Sequence, residues 1–201
     1  MDSPELLVVK RALADGIEPS TVVLVEGASD KAAVETLARR RGRNLGDERV
    51  VIVPMGGATT IGHFLGLLGP QGHDHRLAGL CDAGEEGDFR RALEQAGMGA
   101  HLTRADMEAN GFFVCVSDLE EELIRALGPD TVIAIIEAQG ELGSLRTLQR
   151  QPYHRDRSVE QVLWRFMGTR SGRKTIYARL LVEALDLDRV PRPLDGVLDY
   201  V

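Results

Sequence analysis

From Thr21 the chain runs TVVLVEG to Gly27, an unbroken and largely β-branched apolar stretch that stops at an acid and a glycine. Such a run fits a strand buried on both faces, as in parallel sheets. The same signal returns in ERVVIVP at residues 48–54, RLAGLCD at 76–82 and GFFVCV at 111–116. Each strand is followed by apolar residues at helical spacing. SDKAAVETLARRRG has Ser29 as its N-cap; GGATTIGHFLGLLG is a turn and a helix; EEGDFRRALEQAG is a third helix. SDLEEELIRALG, at 117–128, opens with Ser117 as N-cap and Glu120 three residues later. Strand and helix alternate four times, which predicts an α/β fold with a four-strand parallel sheet and flanking helices. A short helix over 3–14 (SPELLVVKRALA) leads into it.

Beyond residue 128 the pattern is helical throughout: DTVIAIIEAQG, ELGSLRTLQRQ, SVEQVLWRFMG and RKTIYARLLVEALD. The chain therefore divides into an α/β core over 1–128 and a helical extension over 129–201. The stretch from Val190, VPRPLDGVLDYV, has two prolines in three residues and reads as an extended strap.

Aromatic residues make up only 4% of the 201 residues, so aliphatic side chains must fill the core. Cys81 and Cys115 end apolar runs and read as buried free thiols in a reducing compartment. No apolar run reaches membrane-span length and the N-terminus lacks signal-peptide order, so a cytoplasmic protein is expected. The net charge of −7 argues against gripping nucleic acid by bulk electrostatics. Its distribution is uneven. Residues 1–140 hold 13 basic and 23 acidic side chains, whereas residues 141–192 hold 11 basic and 6 acidic. An acidic half followed by a basic segment suits a metal site beside a phosphate-facing surface.

In open parallel sheets, ligands bind beyond the carboxyl ends of the strands. The first strand delivers Glu26 there, with Asp30 one turn on; the third delivers Asp82, then Glu85 and Glu86; the fourth delivers Ser117 and Glu120. Carboxylates so close repel unless a cation neutralises them, and hard oxygen ligands without His or Cys select Mg²⁺ or Mn²⁺. Each residue alone has a plainer use. Asp30 suits a helix dipole, Ser117 with Glu120 suits a capping box, and Gly56-Gly57 suits a tight turn as well as a phosphate. The coincidence of three acidic strand ends favours the metal site. Arg170, Arg173, Lys174 and Arg179 form a basic cluster that fits a nucleic-acid backbone or a solvated helix face.

The segment VLVEGASDKAAVETLARR, followed later by LAGLCDAGEE, resembles the TOPRIM domain of primases, topoisomerases and several nucleases. The version here is most similar to OLD family nucleases. Their Glu-Gly-x-x-Asp/Glu, Asp, Ser-x-x-Glu and lysine elements correspond to Glu26 to Asp30, Asp82 to Glu85, Ser117 to Glu120, and Lys174, across about residues 20–185. The resemblance implies two divalent ions, Mg²⁺ or Mn²⁺, held by Glu26, Asp30, Asp82 and Glu120 with Glu85 and Ser117 in support. It implies Glu26 and Lys174 as catalytic groups, DNA rather than RNA as the nucleic acid, and phosphodiester hydrolysis as the reaction. The family's Asp-x-Asp is Asp82-x-Gly84 here, with Glu85 the nearest substitute. No G-x-x-x-x-G-K-[ST] motif occurs, so the ATPase that accompanies such domains would be a separate partner. A non-catalytic TOPRIM module docking on that ATPase is the alternative, and nucleotidyl transfer a minor one. A homodimer through Leu and Trp of the helical extension is also consistent with the sequence.

Overall fold

The computed structural model describes residues 4–14, 16 and 18–201. Four strands form one parallel sheet: β1 (Thr21–Val25), β2 (Val50–Pro54), β3 (Arg76–Cys81) and β4 (Phe112–Val114), in spatial order β2-β1-β3-β4. Thr21 is in register with Val50 on one side and Arg76 on the other, and Gly79 with Phe112. Strand side chains alternate between faces, and here both faces are covered. Val22 and Leu24 enter one buried cluster, with Leu77, Phe112 and Phe64. Val23 and Val25 enter the other, with Leu80, Phe113, Leu123, Leu163 and Tyr177. This double burial is why the strands carry almost no polar residues.

The first cluster is closed by α1 (Pro4–Ala14), α3 (Ile61–Leu68), α4 (Glu86–Gln95) and α5 (Arg104–Ala109). The second is closed by α2 (Ala28–Arg40), α6 (Leu119–Leu127), α7 (Pro129–Ala138), α8 (Leu142–Gln149), α9 (Val159–Met167), α10 (Arg173–Ala184) and α11 (Arg192–Tyr200). The expected four-strand parallel sheet with flanking helices and a following set of helices is thus the observed architecture. Among the described residues no helix is long and apolar enough to cross a membrane. Cys81 and Cys115 are buried free thiols.

Several local expectations give way to packing. Ser3, the expected first residue of the leading helix, lies outside the described residues. α5 was not anticipated; it is a six-residue helix capped by Thr103, whose side chain and that of Asp106 satisfy each other's backbone N–H groups. The tail from Val190 is not a strap. Pro193 falls in the first turn of α11, where a missing N–H costs nothing, and Leu194, Val197 and Leu198 bury against the sheet. Gly196 makes that approach possible: a Cβ there would lie 2.4 Å from the Phe113 ring.

The arginine run that closes α2 is structural. Arg40 donates to the carbonyls of Val182 (2.8 Å) and Leu185 (2.6 Å), at the end of α10. Arg43 donates to the carbonyls of Leu198 and Val201 at the end of α11. Helix C-termini leave carbonyls without intrahelical partners and carry negative partial charge, so guanidinium groups suit both needs.

Candidate metal centre

All four strands run in one direction, so residues that follow them meet at one edge. Glu26 leaves β1 there, and its carbonyl accepts from the Gly56 N–H at 3.1 Å, tying the ends of β1 and β2 together. Asp82 leaves β3 and is followed by a single 3-10 turn, Ala83–Glu85. That turn returns the chain on itself, with the Glu85 N–H donating to the Asp82 carbonyl at 3.1 Å. The Ala83 N–H donates to the Ser117 carbonyl at 2.8 Å, which draws the segment after β4 to the same place. As a result, carboxylate oxygens of Glu26, Asp82 and Glu85 all lie within 4.8 Å of one another, each side chain half-buried.

Two further carboxylates border this trio. Asp30 is 9% exposed, and its Oδ2 accepts from the Gly27 N–H at 2.9 Å. Gly27, not Ser29, is therefore the cap of α2, with Asp30 reaching back to it. Glu120 is 3% exposed; its Oε2 meets the Lys174 ammonium at 3.2 Å, while its Oε1 is buried without a hydrogen-bond partner. Glu85 Oε2 is likewise buried and without a partner. Two orphaned carboxylate oxygens beside a trio of converging acids form a donor set that a hard divalent cation fits.

The electrostatics agree with the geometry. Burial first, then Asp30, Asp118, Glu26 and Glu120, push the Asp82 carboxyl up to about 8. Burial pushes Asp30 up to about 7, with Glu120 and Glu26 adding to it and the Gly27 N–H opposing. Glu26 is raised as well, by burial and then by Glu85. Burial works against the charge of Lys174, but the Glu120 carboxylate outweighs it and the ammonium is held above its ordinary range. Lys174 thus supplies the compensating charge on one side of the cluster. Its charge also acts on Glu26, but among the described residues the trio itself makes no ion pair.

Other expected residues stand elsewhere. Ser117 is not the cap of α6; Asp118 is, its Oδ1 accepting from the Glu121 N–H at 2.8 Å while its Oδ2 accepts from the Trp164 indole. The sequence signal for this cap is Asp118-x-x-Glu121, one residue after Ser117-x-x-Glu120. Trp164, the tryptophan of the helical extension, is half-buried, and its indole donates to Asp118. Glu122, which sequence reasoning did not single out, is buried; it accepts from the Val116 N–H at 2.8 Å and pairs with Arg125.

Glu86, which follows Glu85 after the third strand, is held by Arg90 and Arg104. The four basic residues of α10 and its approach do not form one face. Arg173 is 5% exposed, donating to the Phe166 carbonyl, Thr169 and Glu141, so it is a packing residue rather than a phosphate contact. Arg170 also meets Glu141, and Arg179 pairs with Glu183, leaving only Lys174 at the acidic cluster.

Residues 20–82 match the family described as Overcoming lysogenization defect protein-like, TOPRIM domain. The fold is similar to that of the C-terminal region of the Burkholderia pseudomallei OLD protein, with a TM-score of 0.68 at 19% identity, covering 90% of this chain and 96% of that one. It is similar also to the C-terminal region of the Xanthomonas campestris pv. campestris OLD protein, with a TM-score of 0.70 at 24% identity, covering 91% and 92%. No curated protein matches the chain. Over β1 to Asp82, which includes two of the acidic strand ends, the chain is similar to a TOPRIM domain of the OLD-like kind.

Proposed function

We propose that the chain is a divalent-metal-dependent nuclease module that hydrolyses phosphodiester bonds in DNA. The observation that carries this reading is the convergence of Glu26, Asp82 and Glu85, with buried carboxylate oxygens of Glu85 itself and of neighbouring Glu120 left without a hydrogen-bond partner. In this reading Glu26, Asp82 and Glu85 would hold one ion, and Asp30 and Glu120 would serve a second, with Ser117 in support. Mg²⁺ or Mn²⁺ bound there would supply the activation of water and the stabilisation of the leaving oxygen that such ions provide. The chain's own residues set the stage for it. Burial raises the proton affinity of Asp82 and Asp30, so the cluster is a base-rich pocket that exchanges protons for a cation. Lys174, half-buried and held at Glu120, is the ammonium paired with the cluster among the described residues and would neutralise charge building on the phosphoryl oxygens. Glu85 takes the place of the carboxylate that Gly84 lacks. The similar OLD structures are themselves C-terminal regions, and a partner ATPase, on another segment or another chain, fits this module.

The test is incubation of the purified protein with supercoiled plasmid and Mn²⁺, beside Glu26→Gln and Lys174→Ala variants. Nicked or linear product from the wild type, lost in both variants, is expected. No product from the wild type, even with added ATPase partner, would move the assignment to a non-catalytic docking module.

A further inference from the structure

The centre is acidic and the whole chain is too, so a polyanionic substrate needs a local basic strip to approach it. The α10 cluster does not supply one, since Arg173 is buried and Arg170 and Arg179 are engaged. The segment from α8 to α9 does. Arg146, Arg150, Arg155 and Arg165 are exposed and make no ion pair among the described residues, and between Arg146 and Arg165 only Asp156 and Glu160 oppose them. At the middle of this strip sits Tyr153, 73% exposed, the most exposed aromatic side chain among the described residues. It is set on a short 3-10 turn, Pro152–His154, that is rigid for its size. Pro152 fixes its start, the His154 N–H donates to the Gln151 carbonyl at 2.9 Å, and the His154 ring is buried against that of Tyr153, with centroids 5.2 Å apart at 78°. The Arg157 guanidinium lies 4.4 Å from the Tyr153 ring centre.

A rigid, solvent-facing aromatic ring with a cation against it, flanked by unpaired arginines, has the composition of a stacking platform for single-stranded nucleic acid. One helix joins a neighbour of the centre to this segment. α9 starts beside it at Ser158 and, about 9 Å along its axis, presents Trp164 to Asp118, which neighbours Ser117 and Glu120. We propose that Tyr153 and Arg157, with Arg150 and Arg155 of the same segment, bind an unpaired stretch of DNA by base stacking and phosphate contact. The strip would feed that strand, or the frayed end of a duplex, to the carboxylates. As a substrate-guiding surface this rests on the nuclease reading; as a binding site for single strands it does not.

The test is fluorescence anisotropy with a labelled oligothymidylate in EDTA, where no cleavage occurs, beside a labelled blunt duplex. Tyr153→Ala is expected to weaken oligothymidylate binding by roughly tenfold, in line with the loss of one stacked base. Tyr153→Phe should keep most of it, and binding of the duplex should change little. An Arg150→Glu, Arg155→Glu double variant should weaken both probes and flatten the dependence of affinity on salt. Tyr153 is exposed, so these variants leave the core untouched. Wild-type protein that binds oligothymidylate no better than Tyr153→Ala, or not at all, overturns the proposal even if plasmid cleavage is observed. A Tyr153-dependent affinity without any cleavage upholds it and counts against the nuclease reading alone.

Discussion

At position 84 the chain has glycine where the family pattern has a second aspartate, and the residue next to it supplies the charge. Glu85 reaches the centre because the 3-10 turn after Asp82 brings it back over the strand end, while Glu86, one position on, points into the Arg90 and Arg104 pairs. Glu85→Gln should therefore weaken Mn²⁺ binding by tenfold or more, roughly the 1.4 kcal/mol that one charged oxygen contact is worth at a hard-cation site. Glu86→Gln should leave Mn²⁺ affinity unchanged and cost about 1 kcal/mol of stability, because its arginine partners Arg90 and Arg104 stand partly in solvent. Gly84→Asp meets nothing within 4 Å of a new Cβ and should raise or preserve affinity. Titration of the three variants side by side checks this; equal effects at 85 and 86 would remove Glu85 from the ligand set. Which acids lie at strand ends was readable from residue order, because a parallel sheet sends them all to one edge. Their individual partners were not. That Gly27 with Asp30 reaching back to it, not Ser29, caps α2 and that Asp118, not Ser117, caps α6 depends on a shift of one or two residues in helix onset, which periodicity does not resolve.

The elements fall into those that announce themselves and those that depend on contacts far along the chain. Strands buried on both faces are legible as unbroken apolar runs, and the long helices as periodic ones. α5, six residues long, is too short to show a period. α11 was hidden by its prolines, although Leu194, Val197 and Leu198 already stand at helical spacing. Its docking depends on the absence of a side chain at Gly196. Gly196→Ala would place a Cβ within 2.4 Å of the Phe113 ring and is expected to destabilise the fold by about 1–3 kcal/mol. Urea denaturation measures it, and an unchanged midpoint would mean that α11 is not held against β4. Arg173 shows the converse problem. In sequence it is indistinguishable from Arg170 or Arg179, and only the fold reveals that its guanidinium packs over the Phe166 ring, 4.1 Å from its centre, and is enclosed.

For the molecule as a whole, the acidic edge is a cost that metal-free protein must bear. Asp30 and Asp82 hold their protons up to about 7 and about 8, against an ordinary value of 3.8. Carboxyls raised in the folded state bind more protons there than in the unfolded chain between those limits. Their contribution to stability is complete below about pH 4 and is lost as the pH rises through 7 and 8. A divalent ion that needs these groups deprotonated reverses the trend. In EDTA the melting temperature should fall between pH 5.5 and pH 8.5 more in the wild type than in Asp82→Asn, whereas the upward shift produced by Mn²⁺ should grow over the same range. A Mn²⁺ shift that is independent of pH would place the ion elsewhere.

The claim that the strand-end carboxylates form a cation site is tested most directly by calorimetric titration of Mn²⁺ at pH 8 into the wild type and into Asp82→Asn. Saturable binding to the wild type, with protons released and most of the heat lost in Asp82→Asn, is the expected result; identical, non-saturating heats for the two proteins would contradict it.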